Sequence, residues 1–270
     1  MRTLLTGILL LGLVVSPTEA QTIWSRPYVP NQVVVEGVVP DSPSEAGRLS
    51  GATFLTGTVS LSENIEFAGE LPVARYGASN GNASTALGNP YVGVGFSSTI
   101  APVLVEVGAR LPVAGSERAG SIGQAADMGR LAAFRPEEFS LSALANGRLA
   151  IGRATSLRLR AGGTYASFSV PAPAGATTAP GDSSATAWRL QYDAQLWNEG
   201  ERTITGLSFT GRAVVSSPRR TQHHIALSVM PNWARVQPGL VVGTSVNDLL
   251  RDRTLTPFAG LTLSLGYGRF

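Results

Sequence analysis

The segment 65–74 reads IEFAGELPVA, and its side chains alternate in character with a period of two. Ile65 and Phe67 share one parity with other apolar residues, whereas Glu66 and Glu70 have the opposite parity. Successive side chains of a β-strand point to opposite faces of the sheet. The segment therefore predicts a strand with one apolar face and one polar face.

The same period recurs along most of the chain, for example in VLVEVGARL at 103–111 and WRLQYDAQL at 188–196. It predicts twelve strands, and any count from ten to fourteen is compatible with the pattern. The predicted strands span residues 31–39, 51–61, 65–74, 90–98, 102–112, 143–153, 156–168, 186–197, 203–214, 223–231, 236–246 and 256–268.

The predicted connections alternate in length. Short turns follow every second strand, and the longer connections between them are residues 40–50, 75–89, 113–142, 169–185, 215–222 and 247–255. Outer-membrane barrels have this alternation of short turns and longer loops, with an even number of strands. We therefore predict an all-β fold, a transmembrane antiparallel up-and-down β-barrel. A secreted soluble β protein is the alternative, since period two also describes half-buried sheets.

The composition excludes several other classes. Of 270 residues only 14% are charged, against about 25% in an ordinary soluble domain. The chain has no Cys, which excludes disulfides, cysteine-ligated metals and a thiol nucleophile. All 21 cationic residues are Arg, yet the net charge is only +3, so the chain is no polycation and a nucleic-acid partner is not expected.

Residues 1–20 have the features of a signal peptide. Arg2 precedes an apolar run at 4–15, and small residues at Thr18 and Ala20 predict cleavage before Gln21. An uncleaved anchor is the alternative, but twelve residues are too few for a helix that spans a bilayer, which needs about 20. We expect an exported protein of the Gram-negative outer membrane, with residues 21–270 forming one barrel domain whose strands begin near residue 31.

The polar faces of the predicted strands carry charges that we expect to lie in the lumen. An Arg that faces lipid at mid-bilayer costs about 2–4 kcal/mol. The pore-lining candidates are Glu66, Glu70, Glu106, Arg110, Arg148, Arg158, Arg160, Arg189, Asp193 and Arg212. Six arginines against four carboxylates predict a narrow aqueous pore that favours anionic or polar solutes. Alternatively, the charges pair with each other in a packed, non-conducting interior.

Three further features of the strands and loops carry predictions. Glycines on the inner faces, such as Gly93 and Gly108, either leave room in the lumen or mark strand curvature. Trp188 and Trp197 lie near opposite ends of one strand, as aromatic girdles require. The long loop at 113–142 contains a possible short helix with a small-residue face.

That long loop either folds inward as a constriction or caps the external rim. In the first case its polar contacts would come from Arg130, Arg135, Glu137 and Glu138.

The sequence gives little support for catalysis, metal binding or a cofactor. The only histidines, His223 and His224, are adjacent on one strand and therefore point to opposite faces. Ser228 lies four residues from His224, about 13 Å along a strand, too far for a hydrogen bond. The chain has no G-x-S-x-G and no H-E-x-x-H motif. We therefore predict that the protein is not an enzyme.

Two stretches resemble known families. The last strand, LTLSLGYGRF at 261–270, resembles the C-terminal assembly signal of Gram-negative outer-membrane barrels through Tyr267 and Phe270. The resemblance implies the barrel assembly machinery and outer-membrane lipid as partners. Phe270 has the opposite parity to Tyr267, which a bulge near Gly268 would correct.

The segments GELPVARYG at 69–77 and LGNPYVGVGF at 87–96 resemble transporter barrels of the phenol meta-pathway degradation type. That resemblance implies passive solute uptake and assigns no binding residue. The predicted function is thus a passive channel or transporter for small solutes of unknown identity. The alternative is a non-conducting surface barrel with a role in adhesion or envelope structure.

Overall fold

The structure is a computed structural model that describes residues 31–40, 50–77, 83–97, 103–116, 118–170, 183–215, 217–233, 235–247 and 254–267. The predicted signal peptide and Phe270 lie outside the described residues. The strands are β1 (Gln32–Pro40), β2 (Gly51–Ser60), β3 (Ile65–Gly77), β4 (Ala83–Leu87), β5 (Tyr91–Ser97), β6 (Val103–Arg110), β7 (Phe139–Ala150), β8 (Thr155–Val170), β9 (Ser183–Glu199), β10 (Thr203–Val214), β11 (Ser217–Pro231), β12 (Val236–Asn247) and β13 (Thr254–Gly266).

These strands form one closed antiparallel barrel. Each strand pairs with its neighbours in the chain, and β1 pairs with both β2 and β13, which closes the sheet. Strand β3 pairs with β5 at one end and with β4 at the other, so β4 and β5 form a single strand of the wall that is interrupted at residues 88–90. The barrel therefore has twelve wall strands, and the predicted fold and strand count are confirmed.

The two faces of the wall differ in the way that the period-two pattern predicts. Outward side chains are apolar and exposed, such as Val107 at 49% and Leu227 at 58% exposure. Inward side chains alternate with them and include the fully buried Glu106. An apolar exterior around a charged interior reverses the arrangement of a soluble protein and matches that of a transmembrane barrel.

In the part of the chain that the structure describes, helical structure is confined to the connection between β6 and β7. It comprises α1 (Arg118–Ala126) and a 3₁₀ helix (Met128–Ala133). Neither these nor any other helix in the described part of the chain is long and apolar enough to cross a membrane.

Two predicted long connections are shorter in the structure. Residues 83–87 of the predicted loop 75–89 form β4, and β11 begins at Ser217, within the predicted loop 215–222. Strand β10 ends at Val214, which pairs with Ser217 after a register shift. The predicted contrast between long and short connections therefore fails at this hairpin. Backbone pairing to a neighbouring strand supplies the hydrogen bonds here, although the local sequence lacks alternation.

The aromatic-girdle prediction holds for one tryptophan and fails for the other. Trp188 is 59% exposed on the outer face, whereas Trp197 is fully buried inside the barrel against Ile204 and Met230. Its indole Nε1 donates a hydrogen bond of 2.8 Å to Gln195 Oε1. The two tryptophans are nine positions apart on one strand, an odd number, which places them on opposite faces.

Candidate functional site

All ten predicted pore-lining charges lie in the barrel interior, where each is buried or half-buried. Three further carboxylates of the described residues also lie in the interior: Glu36, Asp127 and Glu199. The sequence analysis did not predict these three as interior groups. Glu36 shares its parity with inward Val34 and Val38, so the period of β1 contained the signal. With these groups counted, the described interior as a whole has no excess of arginines over carboxylates, and the predicted six-to-four excess does not hold.

The inner loop, residues 111–138, connects β6 to β7 and folds into the barrel. Ala119, Ile122 and Ala126 of α1 are buried, and the helix packs against the inner faces of β1 to β4. On the other side, the 3₁₀ helix contacts β10 and β11. The loop therefore folds inward and does not cap the external rim, which was the other alternative. The small side chains of α1 allow its backbone to approach the wall closely.

Asn89 holds the loop to the wall at the interruption between β4 and β5. Its Nδ2 donates to the carbonyl oxygens of Ala132 at 2.9 Å and Arg135 at 2.8 Å. Its Oδ1 accepts from the backbone N–H groups of Val113 at 2.8 Å and Ala114 at 2.7 Å. The side chain is fully buried, and both its amide nitrogen and its amide oxygen have hydrogen-bond partners. Sequence analysis missed this residue; the one signal was Gly-Asn-Pro within an alternating segment.

Arg130 joins the loop to two wall strands. Its Nη2 lies 2.6 Å from Glu36 Oε2, its Nη1 lies 3.3 Å from Glu70 Oε2, and its Nε lies 2.6 Å from Asp127 Oδ2. The guanidinium carbon also lies 3.5 Å from the ring centroid of Phe54. One planar fork thereby pairs with three carboxylates and covers an aromatic face, which fixes its position across the lumen.

The electrostatics of the two loop residues follow from this geometry. Burial by itself lowers the pKa of Arg130, but the three carboxylates outweigh that effect and raise it above its usual value. Burial by itself raises the pKa of Asp127, but the adjacent Arg130 guanidinium outweighs it and holds the pKa below its usual value. Both groups are charged at neutral pH, so the pairs between the loop and the wall are ionic.

Glu138 ties the end of the loop to the opposite side of the wall. It is fully buried and forms a bidentate pair with Arg189 of β9, in which Arg189 Nη2 lies 2.8 Å from Glu138 Oε2. Arg135 is 3.4 Å from the same carboxylate, and its guanidinium covers Phe168. Glu137 was predicted to supply a polar contact of the constriction, but its side chain is exposed and does not. Its backbone turns with a φ of 53°, which directs its neighbour Glu138 into the barrel instead.

The arginine cavity lies on one side of Arg130 and holds about 60 Å³ of space for water-molecule centres. Its lining combines five guanidinium groups with neutral hydrogen-bonding groups and two apolar side chains. It consists of Tyr91, Arg110, Arg130, Ala132, Ser140, Ser142, Leu144, Arg160, Thr164, Arg189, Gln191 and Arg212. No carboxylate is among these lining residues.

The mixed cavity lies on the other side of Arg130 and is smaller, with a volume of about 40 Å³. Two carboxylates, Glu36 and Asp127, line it together with His224 and apolar side chains that include Val241 and Phe258. His224 Nδ1 lies 3.1 Å from Ser245 Oγ, which is buried. The inner loop therefore leaves water-sized space on both sides of Arg130, with different chemistry on each.

The inner-face glycines Gly93 and Gly108 do not leave open space. A Cβ at Gly93 would lie 2.6 Å from the Tyr91 hydroxyl oxygen, and the same ring also occupies the space above Gly108. The Tyr91 hydroxyl donates to Glu106. These two glycines thus allow a tyrosine ring to lie flat on the wall beside the arginine cavity, so the first of the two alternatives, room in the lumen, does not hold at these positions.

The remaining predicted residues lie nearer the end of the barrel with the short turns. Arg148 and Arg158 both pair with Glu199, at 3.1 Å and 3.5 Å.

Of the two histidines, His223 bonds through Nε2 to the Tyr192 hydroxyl at 2.7 Å and not to His224. Within the residues that the structure describes, no group of three or more His, Cys, Asp or Glu is placed to hold a metal ion.

Comparison with known proteins gives similarity in structure only. No protein-family model and no curated protein matches the sequence. The crystal structure of the NanC porin superposes with a TM-score of 0.57 at 8% identity, covering 87% of this chain and 100% of that one. The KdgM porin gives 0.52 at 9% identity, covering 88% and 99%. A structure of KdgM in complex with disordered oligogalacturonate gives 0.50 at 10% identity, covering 88% and 99%.

At these identities the likeness establishes the fold and nothing finer. The chain has the fold of porin barrels over most of its length. The resemblance of residues 69–77 and 87–96 to phenol meta-pathway barrels finds no support in these comparisons and stays a prediction.

Proposed function

We propose that this protein is a passive channel of the Gram-negative outer membrane for small solutes. The observation that carries the proposal is the pair of cavities beside the inner loop. A barrel whose interior were merely a packed support would be filled by side chains, as in the eight-stranded kind. Here a loop folds inward, Arg130 fixes it in place, and water-sized space remains on both sides.

The surroundings of the barrel follow from its exterior. The exposed apolar band suits the hydrocarbon of a membrane, and the likeness to porin barrels supports an outer-membrane location. Insertion would use the last strand and the barrel assembly machinery. At that end the Tyr267 hydroxyl donates to the Thr58 carbonyl at 2.8 Å, so this residue helps to join β13 to the rest of the wall. Phe270 as part of the signal remains a proposal.

Single-channel recording of the refolded protein in planar bilayers tests the function. We expect discrete, reproducible conductance steps, smaller than those of open porins with 16–18 strands. Heat-dependent migration on SDS gels checks that the refolded barrel is closed. Silence at all voltages and salt concentrations from a barrel that passes this check would contradict the channel and favour the non-conducting surface barrel.

A further inference from the structure

We propose that the arginine cavity binds the oxyanion group, carboxylate or phosphate, of a small polar solute in transit. The proposal rests on the channel function proposed above and names the chemistry of the solute. It also assigns a binding role to the inner loop, which supplies Arg130 to the cavity.

The first argument is the separation of charge around the cavity. Arg110 pairs with Glu70 at 2.6 Å, and Arg160 pairs with Glu106 at 3.1 Å, yet neither carboxylate lines the cavity. Both carboxylates are almost fully buried behind their arginines. An anion in the cavity would therefore meet N–H groups first, with the compensating negative charge one layer further away.

The second argument is the orientation of the guanidinium groups. Glu70 accepts from Nη2 of Arg110, Glu106 accepts from Nη2 of Arg160, and Glu138 holds Arg189 by a bidentate pair. Such a pair fixes a planar fork and leaves its remaining donors pointing in a defined direction. Arg110 is further held by the ring of Tyr91, whose centroid lies 5.4 Å from its guanidinium carbon. Donors that are already ordered lose little freedom when an oxyanion binds.

The third argument is the match in size and polarity. A single water molecule needs a cavity of about 10–15 Å³, so this cavity has room for a few water molecules, or for one carboxylate or phosphate group. Ser140, Thr164 and Gln191 add neutral donors and acceptors at its wall. These groups suit a solute that carries hydroxyl or amide groups next to its anionic group.

The experiment measures block of the single-channel current, in potassium chloride, by succinate, by inorganic phosphate and by the uncharged succinamide. We expect concentration-dependent block by either anion with an apparent Kd of about 1 mM, because a transit site must release its solute. Succinamide should block at least about tenfold more weakly, since hydrogen bonds to charged groups are the stronger ones. The ratio of the two anion affinities distinguishes carboxylate from phosphate chemistry.

Three variants locate the block. Arg212→Gln, which removes a cavity guanidinium, should weaken anion block about tenfold, and Arg212→Lys should retain much of it. Arg202→Gln removes the same charge from an exposed turn at the far end of the barrel and should leave the block unchanged. Calorimetric titration of the same anions into the refolded protein in detergent measures binding without reference to conduction.

The possible outcomes separate the two proposals. A conducting channel that succinate, phosphate and succinamide block equally overturns the oxyanion site and leaves the channel intact. Equal loss of block in Arg212→Gln and Arg202→Gln also overturns it, because the effect would then come from overall charge. A silent barrel that still binds the anions in detergent, with the loss confined to Arg212→Gln, supports the site and contradicts the channel.

Discussion

The two cavities beside Arg130 share one guanidinium and one loop but differ in the other charged groups that line them. The arginine cavity has five guanidinium groups and no carboxylate among its lining residues, whereas Glu36 and Asp127 line the mixed cavity beside apolar groups such as Phe258. Two of the three carboxylate partners of Arg130, Glu36 and Asp127, line the mixed cavity, and none of the three lines the arginine cavity. The net charge of this lumen therefore says little about its selectivity. The ion pairs turn guanidinium groups toward the arginine cavity, and carboxylates line only the mixed cavity.

Removing the inner loop should have the largest effect, because it abolishes the division between the cavities. Arg110 of β6 pairs directly with Ser140 of β7, so a short Gly-Ser turn can replace residues 113–136. We expect the single-channel conductance to rise about threefold or more as the lumen opens. A loop variant that folds, by heat-dependent migration, yet conducts like the parent would show that the loop does not form the constriction.

Arg130→Ala should have the next largest effect, because it leaves Glu36, Glu70 and Asp127 buried with their common partner gone. Breaking a buried pair costs about 3–5 kcal/mol. The wall strands keep their hydrogen bonds, so we expect the loop to detach rather than the barrel to unfold. Current recordings should show rapid flicker between two levels, and added protease should cleave within residues 111–138.

Arg130→Lys is the matched variant, since it retains the charge and loses the planar fork. It should flicker less than Arg130→Ala and more than the parent. Steady current from Arg130→Ala would contradict the role of these ion pairs in holding the loop.

Glu36→Gln should change selectivity more than stability, because Arg130 keeps Glu70 and Asp127 as partners. The mixed cavity would lose one of its two carboxylates. We expect the reversal potential in a salt gradient to shift toward greater anion permeability by a few millivolts. Glu201→Gln, in an exposed turn, is the control and should not shift it. An equal shift in both variants would mean that overall charge, and not the carboxylate in the mixed cavity, sets the selectivity.

The wall of this site could be predicted from sequence, because strand parity is a local property. The register that exposes Val105 and Val107 also turns Glu106 inward, and each of the other nine predicted charges follows in the same way. The inward positions of Glu36 and Trp197 follow the same rule, so strand parity alone could have predicted both.

The inner loop could not be predicted to the same extent. Its direction depends on contacts such as Arg130 with Glu36, 94 positions apart in the chain, and on an asparagine in a strand break. No local pattern encodes such a pairing. The sequence left open whether the loop enters the barrel, and the balance of charge inside depended on that answer, since the loop brings Asp127 and Glu138 with it.

Acidification should have the smallest effect and act through the loop alone. The pKa of Asp127 lies below its ordinary value of 3.8, so its pair with Arg130 contributes fully above that pH and is lost only as the pH falls through the lower folded value. We therefore expect steady current from pH 7 down to about 4, and flicker at lower pH. His224 also lines the mixed cavity, beside Asp127.

Asp127→Asn separates this carboxylate from Glu36 and Glu70, which also face Arg130. It should flicker weakly at every pH and lose part of the acid response. If the current of the parent begins to flicker well above pH 4, a group other than Asp127 releases the loop and the prediction is contradicted. If the current of Asp127→Asn is as steady as that of the parent, two carboxylates suffice to hold the loop, and Arg130 is fixed by the wall rather than by its own helix.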